Sequence, residues 1–257
     1  GKRFVAPGSV PLALSLSFLN GGAAKAHPVQ VSATLRPTWP SWPGHDGYSF
    51  NADFGDAALN AFGIDNGRER EQLIVDKRAL TLDQAGAGKL DVALGRKPRG
   101  PAEIYAEMSF NDPNGELQTI RGTVPLWPAA VVLGMRIPDL SSPADKGRVD
   151  LVTLDLDGKP VAGQEIEVSA KRRISHSHRR RVVGGFYAYE NREEFADLGT
   201  VCSGRSDARG LLRCEPKVPG AGEIYLLATT RDGKGNIARS GASYWAAGGG
   251  DDPWFTA

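Results

Sequence analysis

The stretch GEIYLLATTRDGKG (222–235) has a close copy earlier in the chain, AEIYAEMSFNDPNG (102–115). Six residues in and just before the two stretches are identical at a constant offset of 120 residues: Gly100/Gly220, Glu103/Glu223, Ile104/Ile224, Tyr105/Tyr225, Asp112/Asp232 and Gly115/Gly235. A period of about 20–50 residues would indicate a solenoid or a propeller. The longer period matches a whole domain of about 100–150 residues. The repeat therefore predicts two homologous domains in tandem.

Length and composition agree with two domains. The chain has 257 residues, and we expect the first domain at 1–128 and the second at 129–257. The sequence is 40% hydrophobic and 24% charged, which is ordinary for a globular protein with real cores, and its net charge of +1 points to no acidic partner. No apolar run reaches the roughly 18–20 residues of a membrane helix. The first residues resemble a strand more than a signal peptide, so we expect the chain to begin inside a longer protein.

Strand signals dominate the sequence. Short runs rich in Val, Ile, Thr and aromatic residues are bounded by Gly, Pro, Asn and Asp, which predicts an all-β protein built of antiparallel sandwiches. Only DAALNAF (56–62) suggests a helical turn or two. Asn114-Gly115, Asp157-Gly158 and Asp232-Gly233 supply residues that tolerate positive φ in tight turns. The repeated stretch is thus a hairpin at the end of each domain, and residues 126–140 connect the domains.

The two cysteines, Cys202 and Cys214, are predicted to form a disulfide. If a turn centres on residues 207–210, the cysteines face each other across neighbouring antiparallel strands, close to disulfide distance. No further metal ligands are visible near them, and the four histidines form no pattern with a nucleophilic cysteine. A structural disulfide indicates an oxidising compartment. We expect no metal and no cofactor.

A dense basic run, KRRISHSHRRR, occupies residues 171–181. One interpretation is a solvated connection between two strands. The other is a docking site for a partner protein. Its candidate docking residues are Lys171, Arg172, Arg173, Arg179, Arg180 and Arg181. Aromatic residues that would stack on bases do not interrupt the run, so we expect no nucleic acid.

The remaining candidates give little support to catalysis. The neighbouring carboxylates Glu193-Glu194 and Asp251-Asp252 would face opposite sides of a strand, and no hydrolase, nucleotide-binding or metalloprotease motif is present. We expect that the chain is not an enzyme. The aromatic stretch TWPSWPGHDGYSF (38–50) is either a sugar-binding platform or a loop that folds its rings over the edge of a sandwich.

The second half resembles bacterial alpha-2-macroglobulins. The similarity is most specific in residues 186–214, from FYAYENREEF to LLRC, and in YWAAGGGDDPWF (244–255). This pattern marks the macroglobulin-like domain immediately before the bait-region domain. The first half, with PVQVSATLRP and PGHDGYSF, is similar to the preceding macroglobulin-like domain. The resemblance implies two seven-stranded, fibronectin-III-like β-sandwiches and a C-terminal lead into the bait-region domain.

The resemblance also implies a function for a longer parent protein. In this family a protease cuts the bait, the molecule rearranges, and in many members an internal thioester bonds to the protease. Bacterial members are broad-spectrum endopeptidase inhibitors thought to defend the periplasm, many as inner-membrane lipoproteins. The expected partners are therefore neighbouring domains of the same chain and, through the full-length protein, target proteases.

The sequence departs from the complete family pattern. Cys214 is followed by Glu215, Pro216 and Lys217, so the thioester motif Cys-x-Glu-Gln is missing, and no bait domain is present. We expect a fragment that holds structural modules and no catalytic residue. An adhesin-like or carbohydrate-binding module of a bacterial envelope protein is the alternative. A glycan affinity that is lost on changing Trp39 and Trp42 would favour it.

Overall fold

A computed structural model of the protein describes residues 3–18, 22–52, 54–64, 71–138, 141–143, 147–181 and 187–247, with the backbone alone for 141–143, 177–181 and 187–191. The chain divides into two compact units. The first comprises Gly1–Pro40 and Gly67–Ala129, and the second comprises Ser41–Asn66 and Ala130–Ala257. No helix in the described ranges is long and apolar enough to cross a membrane.

The first unit is a sandwich of two sheets. Its described strands are β1 (Phe4–Val5), β2 (Ser9–Ser15), β3 (Pro28–Pro37), β4 (Gln72–Thr81), β5 (Ala87–Ala93), β6 (Ala102–Asn111) and β7 (Leu117–Trp127). One sheet has the order β1-β7-β6-β3-β4, and β2 pairs with β5 in the other. Alternate residues of both sheets, among them Val10, Val31 and Ile104, are fully buried and form the core. The alternation follows from the two-residue period of a strand.

The second unit repeats this architecture. Its strands are β8 (Val131–Arg136), β9 (Ser141–Pro143), β10 (Val149–Asp155), β11 (Glu165–Arg181), β12 (Tyr187–Arg205), β13 (Leu211–Cys214), β14 (Gly222–Arg231) and β15 (Ile237–Ala247). One sheet has the order β12-β11-β14-β15-β9 and the other β13-β10-β8. Leu151, Val168 and Leu226 are fully buried. The all-β, sandwich prediction is confirmed.

The repeated hairpin has the same register in both units. Ala102 pairs with Leu126 in β6–β7, and Gly222 pairs with Ala246 in β14–β15, so both partners are shifted by the same 120 residues. The last strand of each hairpin also pairs in parallel with a short N-terminal strand, β1 or β9. The prediction that the repeated stretch forms a hairpin is confirmed.

Five turns share one design, an aspartate followed three residues later by a glycine with positive φ, and they begin at Asp83, Asp112, Asp155, Asp207 and Asp232. In each turn Oδ1 of the aspartate accepts hydrogen bonds from the backbone N–H groups two and four residues later. The left-handed glycine is therefore Gly235 (φ 78°), and not Gly233 of the Asp-Gly pair that the sequence suggested. The side chain replaces a backbone acceptor, which is why aspartate is favoured in such turns.

The predicted connection over residues 126–140 contains a strand. It includes the end of β7 and all of β8, whose first five residues are buried. An apolar run without alternation is ambiguous in sequence, because a strand buried on both faces lacks the two-residue pattern. The short parallel strands β1 and β9 were also missed.

The Ser41–Asn66 segment, here called the strap, belongs to the second unit although the contiguous division 1–128 and 129–257 places it in the first domain. It lies between β3 and β4 in sequence and contains helix α1 (Asp56–Ala61), where the helical turn was predicted. Contacts with β8, β14 and β15 hold it to the second unit.

Candidate interaction site

The aromatic side chains of the strap cover the outside of the second sandwich. Phe50 is 3% exposed and lies directly over Gly134 of β8, where a Cβ atom would come within 2.7 Å of its ring. Phe54 packs on Gly241 and makes an edge contact with Tyr225, with ring centroids 5.3 Å apart. The rings thus fold over the sandwich, as one of the two sequence interpretations predicted.

Helix α1 extends this cover over β14. Leu59 is 4% exposed and belongs to an apolar cluster with Phe54 and Leu227. The tryptophans of the aromatic stretch differ, because Trp42 packs on Phe50 with ring centroids 4.5 Å apart whereas Trp39 is 59% exposed. Trp42 is therefore a packing residue in the second unit.

Three arginines surround one buried carboxylate at the end of the strap-covered sheet. Asp150 of β10 has a side chain that is only 8% exposed. Its Oδ2 accepts from Arg136 Nη2 at 2.9 Å, and Arg148 binds both oxygens through Nε at 3.1 Å and Nη2 at 3.0 Å. Arg213 Nε donates to Oδ1 at 3.3 Å. We call Arg136, Arg148 and Arg213 the arginine cluster.

The sheet places these side chains side by side. Asp150 pairs with Arg136 on β8 and with Arg213 on β13, so all three project from one face of three adjacent strands. The Arg136 guanidinium also lies over the ring of Tyr48, 4.8 Å from its centroid. Burial opposes ionisation of Asp150, but hydrogen bonds and the positive charges of the arginines outweigh it and lower its pKa. Burial raises the pKa of the Tyr48 hydroxyl.

Sequence reasoning missed this cluster, whose members are spread from residue 136 to residue 213. One local signal was available. Asp150 is a charged residue inside the apolar run VDLVTL, all of which is buried. A buried carboxylate requires cationic or hydrogen-bonding partners, but nothing in the sequence shows which arginines supply them.

Cys202 and Cys214 are joined by a disulfide with a Cα–Cα distance of 6.0 Å. The expected geometry was different, because β12 and β13 are not neighbours in one sheet. Cys202 lies on β12, whose ladder partner is β11, whereas Cys214 lies on β13, whose partner is β10. The disulfide therefore joins the two sheets of the second sandwich.

The basic run at 171–181 is strand and not a connection. Residues of β11 pair with β12 as far as Arg181 opposite Tyr187, and β14 accompanies β11 only up to Arg172. From Arg173 to Arg181 the two strands pair with each other alone among the described strands. At about 3.4 Å per residue this two-stranded ribbon is about 30 Å long. Arg173 lies 3.4 Å from Glu193 on the opposite strand, and such diagonal pairs of opposite charge favour pairing.

The described basic residues at the base of the ribbon have partners within the unit. Lys171 Nζ lies 2.9 Å from Asp197, Arg172 donates to the carbonyl of Pro219 at 2.8 Å, and Arg173 lies 2.7 Å from Glu223. The side chains of Arg179, Arg180 and Arg181, and His178 with them, lie outside the described residues. Partner docking at this run stays a prediction.

The carboxylate pairs do not meet as catalytic couples in the described structure. Glu193 lies 3.4 Å from Arg173, and Glu194 lies 3.5 Å from Arg192. Asp251 and Asp252 lie outside the described residues. In the part of the chain that the structure describes, no three His, Cys, Asp or Glu side chains are grouped as metal ligands.

A second buried carboxylate, Asp232, joins the last turn to the beginning of β8. Its Oδ1 accepts the two turn N–H groups, and its Oδ2 accepts from the backbone N–H of Ala130 and from the Asn236 amide, each at 2.9 Å. Burial disfavours the charged form, but these hydrogen bonds outweigh burial and lower the pKa of Asp232 to about 2. Asp232 is 8% exposed and is thus a structural carboxylate.

Comparison with known proteins finds matches among solved structures only. No protein-family model matches the chain, and no curated protein sequence matches it. The native conformation of E. coli alpha-2-macroglobulin matches over 96% of this chain and 15% of its own length, with a TM-score of 0.68 and 15% identity. Salmonella alpha-2-macroglobulin reacted with methylamine matches over 96% of this chain and 16% of its own, with a TM-score of 0.66 and 17% identity.

A third match is E. coli alpha-2-macroglobulin activated by porcine elastase, over 98% of this chain and 21% of its own, with a TM-score of 0.60 and 16% identity. The chain thus spans between about 15% and 21% of these proteins. At such low identity the similarity establishes the fold. The chain has the macroglobulin-like β-sandwich fold found in bacterial alpha-2-macroglobulins, as the sequence resemblance predicted.

Proposed function

We propose that the chain is a pair of framework domains in a bacterial alpha-2-macroglobulin that traps proteases, placed just before the bait-region domain. The observation that carries the proposal is the fold match over 96% of the chain to native E. coli alpha-2-macroglobulin. One of the similar structures is described as activated by porcine elastase and another as activated by trypsin. In this proposal the chain has no catalytic role of its own.

The internal bonding of the second unit suits a rigid framework. A disulfide joins its sheets, the strap covers its outer faces, and Asp232 fixes β8 to the last hairpin. Packed units of this kind move as bodies rather than deform, which is what transmission of a rearrangement requires. The disulfide supports an oxidising compartment, and we propose the periplasm.

The test uses the natural full-length protein that contains this chain. It is incubated with porcine elastase and separated on a native gel. We expect a mobility shift and bound elastase that still cleaves a small peptide substrate but no longer a large protein, because enclosure excludes bulky substrates. Elastase whose catalytic serine has been blocked beforehand is the matched control, since it cannot cut a bait.

Equal capture of active and blocked elastase, or no capture of either, would refute the proposal. Peptide mapping of the same protein adds a chemical readout. A Cys-x-Glu-Gln peptide that gains mass with methylamine indicates a thioester trap, and a cleaved bait without such a peptide indicates trapping by enclosure alone.

A further inference from the structure

We propose that the arginine cluster is a carboxylate-binding site, and that its ligand is an acidic polypeptide segment with two carboxylates close together. The site is formed by Arg136, Arg148 and Arg213 above Asp150. The proposal is independent of protease trapping, because it rests only on the geometry of the second unit.

The first argument is the number of hydrogen-bond donors. A carboxylate accepts about four hydrogen bonds, and a guanidinium group carries about five N–H donors. Four N–H groups from the three arginines already bind Asp150, which fills its capacity. Most of the guanidinium donors therefore remain for another acceptor. The side chains of Arg136 and Arg148 are 40% exposed and that of Arg213 is 61% exposed, so a ligand can reach them.

The second argument is charge. Asp150 neutralises one of the three guanidinium groups, and at the rim Arg209 is paired with Asp207 at 3.6 Å, so this pair adds no net charge. The three arginines together with Asp150 therefore keep two uncompensated positive charges. Guanidinium groups held together by one carboxylate repel each other. A ligand with two carboxylates removes this repulsion, and planar guanidinium groups bind carboxylates with two parallel hydrogen bonds.

The third argument favours a polypeptide over a small anion as the ligand. Arg136 and Arg213 of the cluster border an open recess of about 300 Å³ that is also lined by Tyr48, Leu211 and Leu212. A small inorganic anion would contact only the guanidinium groups and leave these apolar surfaces in water. A polypeptide segment can cover the ring and the leucine side chains while its acidic side chains bind the arginines.

The test measures binding of a hexaglutamate peptide to the full 257-residue chain by isothermal titration calorimetry. It is run at about 0.01 M salt, where the screening length is about 30 Å. We expect Arg213→Gln and Arg148→Gln each to weaken binding about tenfold or more. Arg121→Gln is the matched control, because it removes the same charge from an exposed arginine of the first unit. Inorganic phosphate is the second probe, expected to bind at least about tenfold more weakly than hexaglutamate.

Arg213→Gln is the decisive variant. Arg213 is the most exposed of the three arginines, and its replacement still leaves Asp150 two arginine partners. Far-ultraviolet circular dichroism verifies the fold of each variant. The proposal is overturned if hexaglutamate does not bind, or if Arg121→Gln weakens binding as much as Arg213→Gln. It is also overturned if phosphate binds as tightly as the peptide with the same dependence on the arginines, since the site would then serve small anions.

Discussion

At the residue scale, Asp232 connects parts of the second unit that are about one hundred residues apart. The equivalent residue of the first unit, Asp112, makes the same two turn hydrogen bonds through Oδ1. Asp232 alone of the two uses Oδ2 to bind a distant backbone N–H, that of Ala130. The turn thus has a second role in the second unit only. Mutation of the two equivalent aspartates therefore measures that role by comparison.

We predict that Asp232→Asn destabilises the second unit more than Asp112→Asn destabilises the first. Either asparagine keeps an oxygen for the turn, but in Asp232→Asn the amide group faces the Ala130 N–H and leaves that donor unsatisfied. The expected cost is about 2 kcal/mol, because an unsatisfied buried donor costs roughly 1–3 kcal/mol. Asp112→Asn should cost less than about 1 kcal/mol. Urea unfolding followed by hydrogen exchange of β15 and β7 measures both, and equal losses would contradict the assigned role of Oδ2.

The same carboxylate gives the stability a pH dependence. Its pKa is about 2 in the folded protein against 3.8 for an unperturbed aspartate, so the unfolded chain takes up the proton first. The stabilisation is therefore complete above about pH 5 and is lost as the pH falls from about 4 towards 2. Its size is about 2 kcal/mol, since one pKa unit corresponds to about 1.4 kcal/mol. Asp150, whose pKa is also lowered, acts in the same direction. In Asp232→Asn the free energy of unfolding should therefore fall less as the pH is lowered from about 4 to 2.

Gly134 and Gly122 test whether the strap is in tight contact with β8. A Cβ atom at Gly134 would lie 2.7 Å from the Phe50 ring and 2.8 Å from Val152, whereas one at Gly122 of β7 would meet nothing within 4 Å. We predict that Gly134→Ala costs about 1–3 kcal/mol through overpacking. Gly122→Ala should be neutral or slightly stabilising, because alanine loses less backbone entropy. A neutral Gly134→Ala in thermal unfolding would show that the strap does not press on β8.

Individual residues were only partly predictable from the sequence. The turns of the repeated hairpin were recognised, and Gly115 and Gly158 have the positive φ that the sequence predicts, but in the turn at Asp232 the positive φ belongs to Gly235 and not to Gly233. The arginine cluster was not recognised, because its members come from separate strands and a loop. A sequence reveals a local turn through its neighbours, whereas a side-chain cluster depends on strand order and register.

At the element scale, the disulfide has a different consequence from the one expected of a hairpin. A disulfide between two neighbouring strands would have joined strands that backbone hydrogen bonds already hold together. A bond between β12 and β13 instead adds a covalent link between two sheets that are otherwise joined by side-chain packing, by the Asp232–Ala130 hydrogen bond and by the strap. It therefore resists separation of the sheets at the sandwich edge.

We predict that replacing both cysteines by alanine destabilises the second unit by about 3 kcal/mol, the value for closing a loop of this length in the chain-entropy model. Hydrogen exchange should accelerate in β12 and β13 and remain unchanged in β2 and β5 of the first unit. The single variant Cys202→Ala is the companion control, because it breaks the bond but leaves the buried Cys214 in place. Unchanged exchange in β13 would contradict a bond between sheets.

Strands with an alternating pattern were predicted well, and strands without it were not. The runs HPVQVSATLR (27–36) and AEIYAEMSF (102–110), which carry strand signals, agree with β3 and β6 within a residue. β8 was taken for a connection because both of its faces are covered. The ribbon was taken for a loop because its strands carry charges on residues that a sheet usually presents as apolar. Both errors have one cause. A two-residue pattern indicates a strand with one buried face, whereas β8 is buried on both faces and the described side chains of the ribbon are partly or fully exposed.

At the scale of the whole molecule, the repeat predicts two domains in tandem, and it gives no indication that the strap belongs to the second unit. Residues 41–66 lie between two strands of the first unit in sequence, and only the structure shows that their rings pack on the second. No local signal distinguishes an apolar loop that covers its own sandwich from one that covers another.

We predict that a polypeptide of residues 130–257 alone does not form a stable second unit. Without the strap, Val152, Tyr225 and Leu227 lose the rings and the helix that cover them. The fragment should bind the dye anilinonaphthalene sulfonate strongly and aggregate. Adding a synthetic peptide of residues 41–66 should reduce dye binding, and the same peptide with Phe50→Ser and Phe54→Ser should not. A soluble fragment with cooperative unfolding and no response to the peptide would contradict the prediction.

The strap also determines an order of events during synthesis. Its aromatic residues leave the ribosome before β8 to β15 exist, and its contacts on β14 and β15 are made more than 150 residues later in the chain. At about 5–20 residues per second, Phe54 waits on the order of 10–40 s for the surface that covers it. The first unit can close during this wait, because its last strand, β7, ends at Trp127, well before β14 begins at Gly222. The apolar side chains of the strap therefore need protection from aggregation while the chain is being made. This need ends only when β15 is complete.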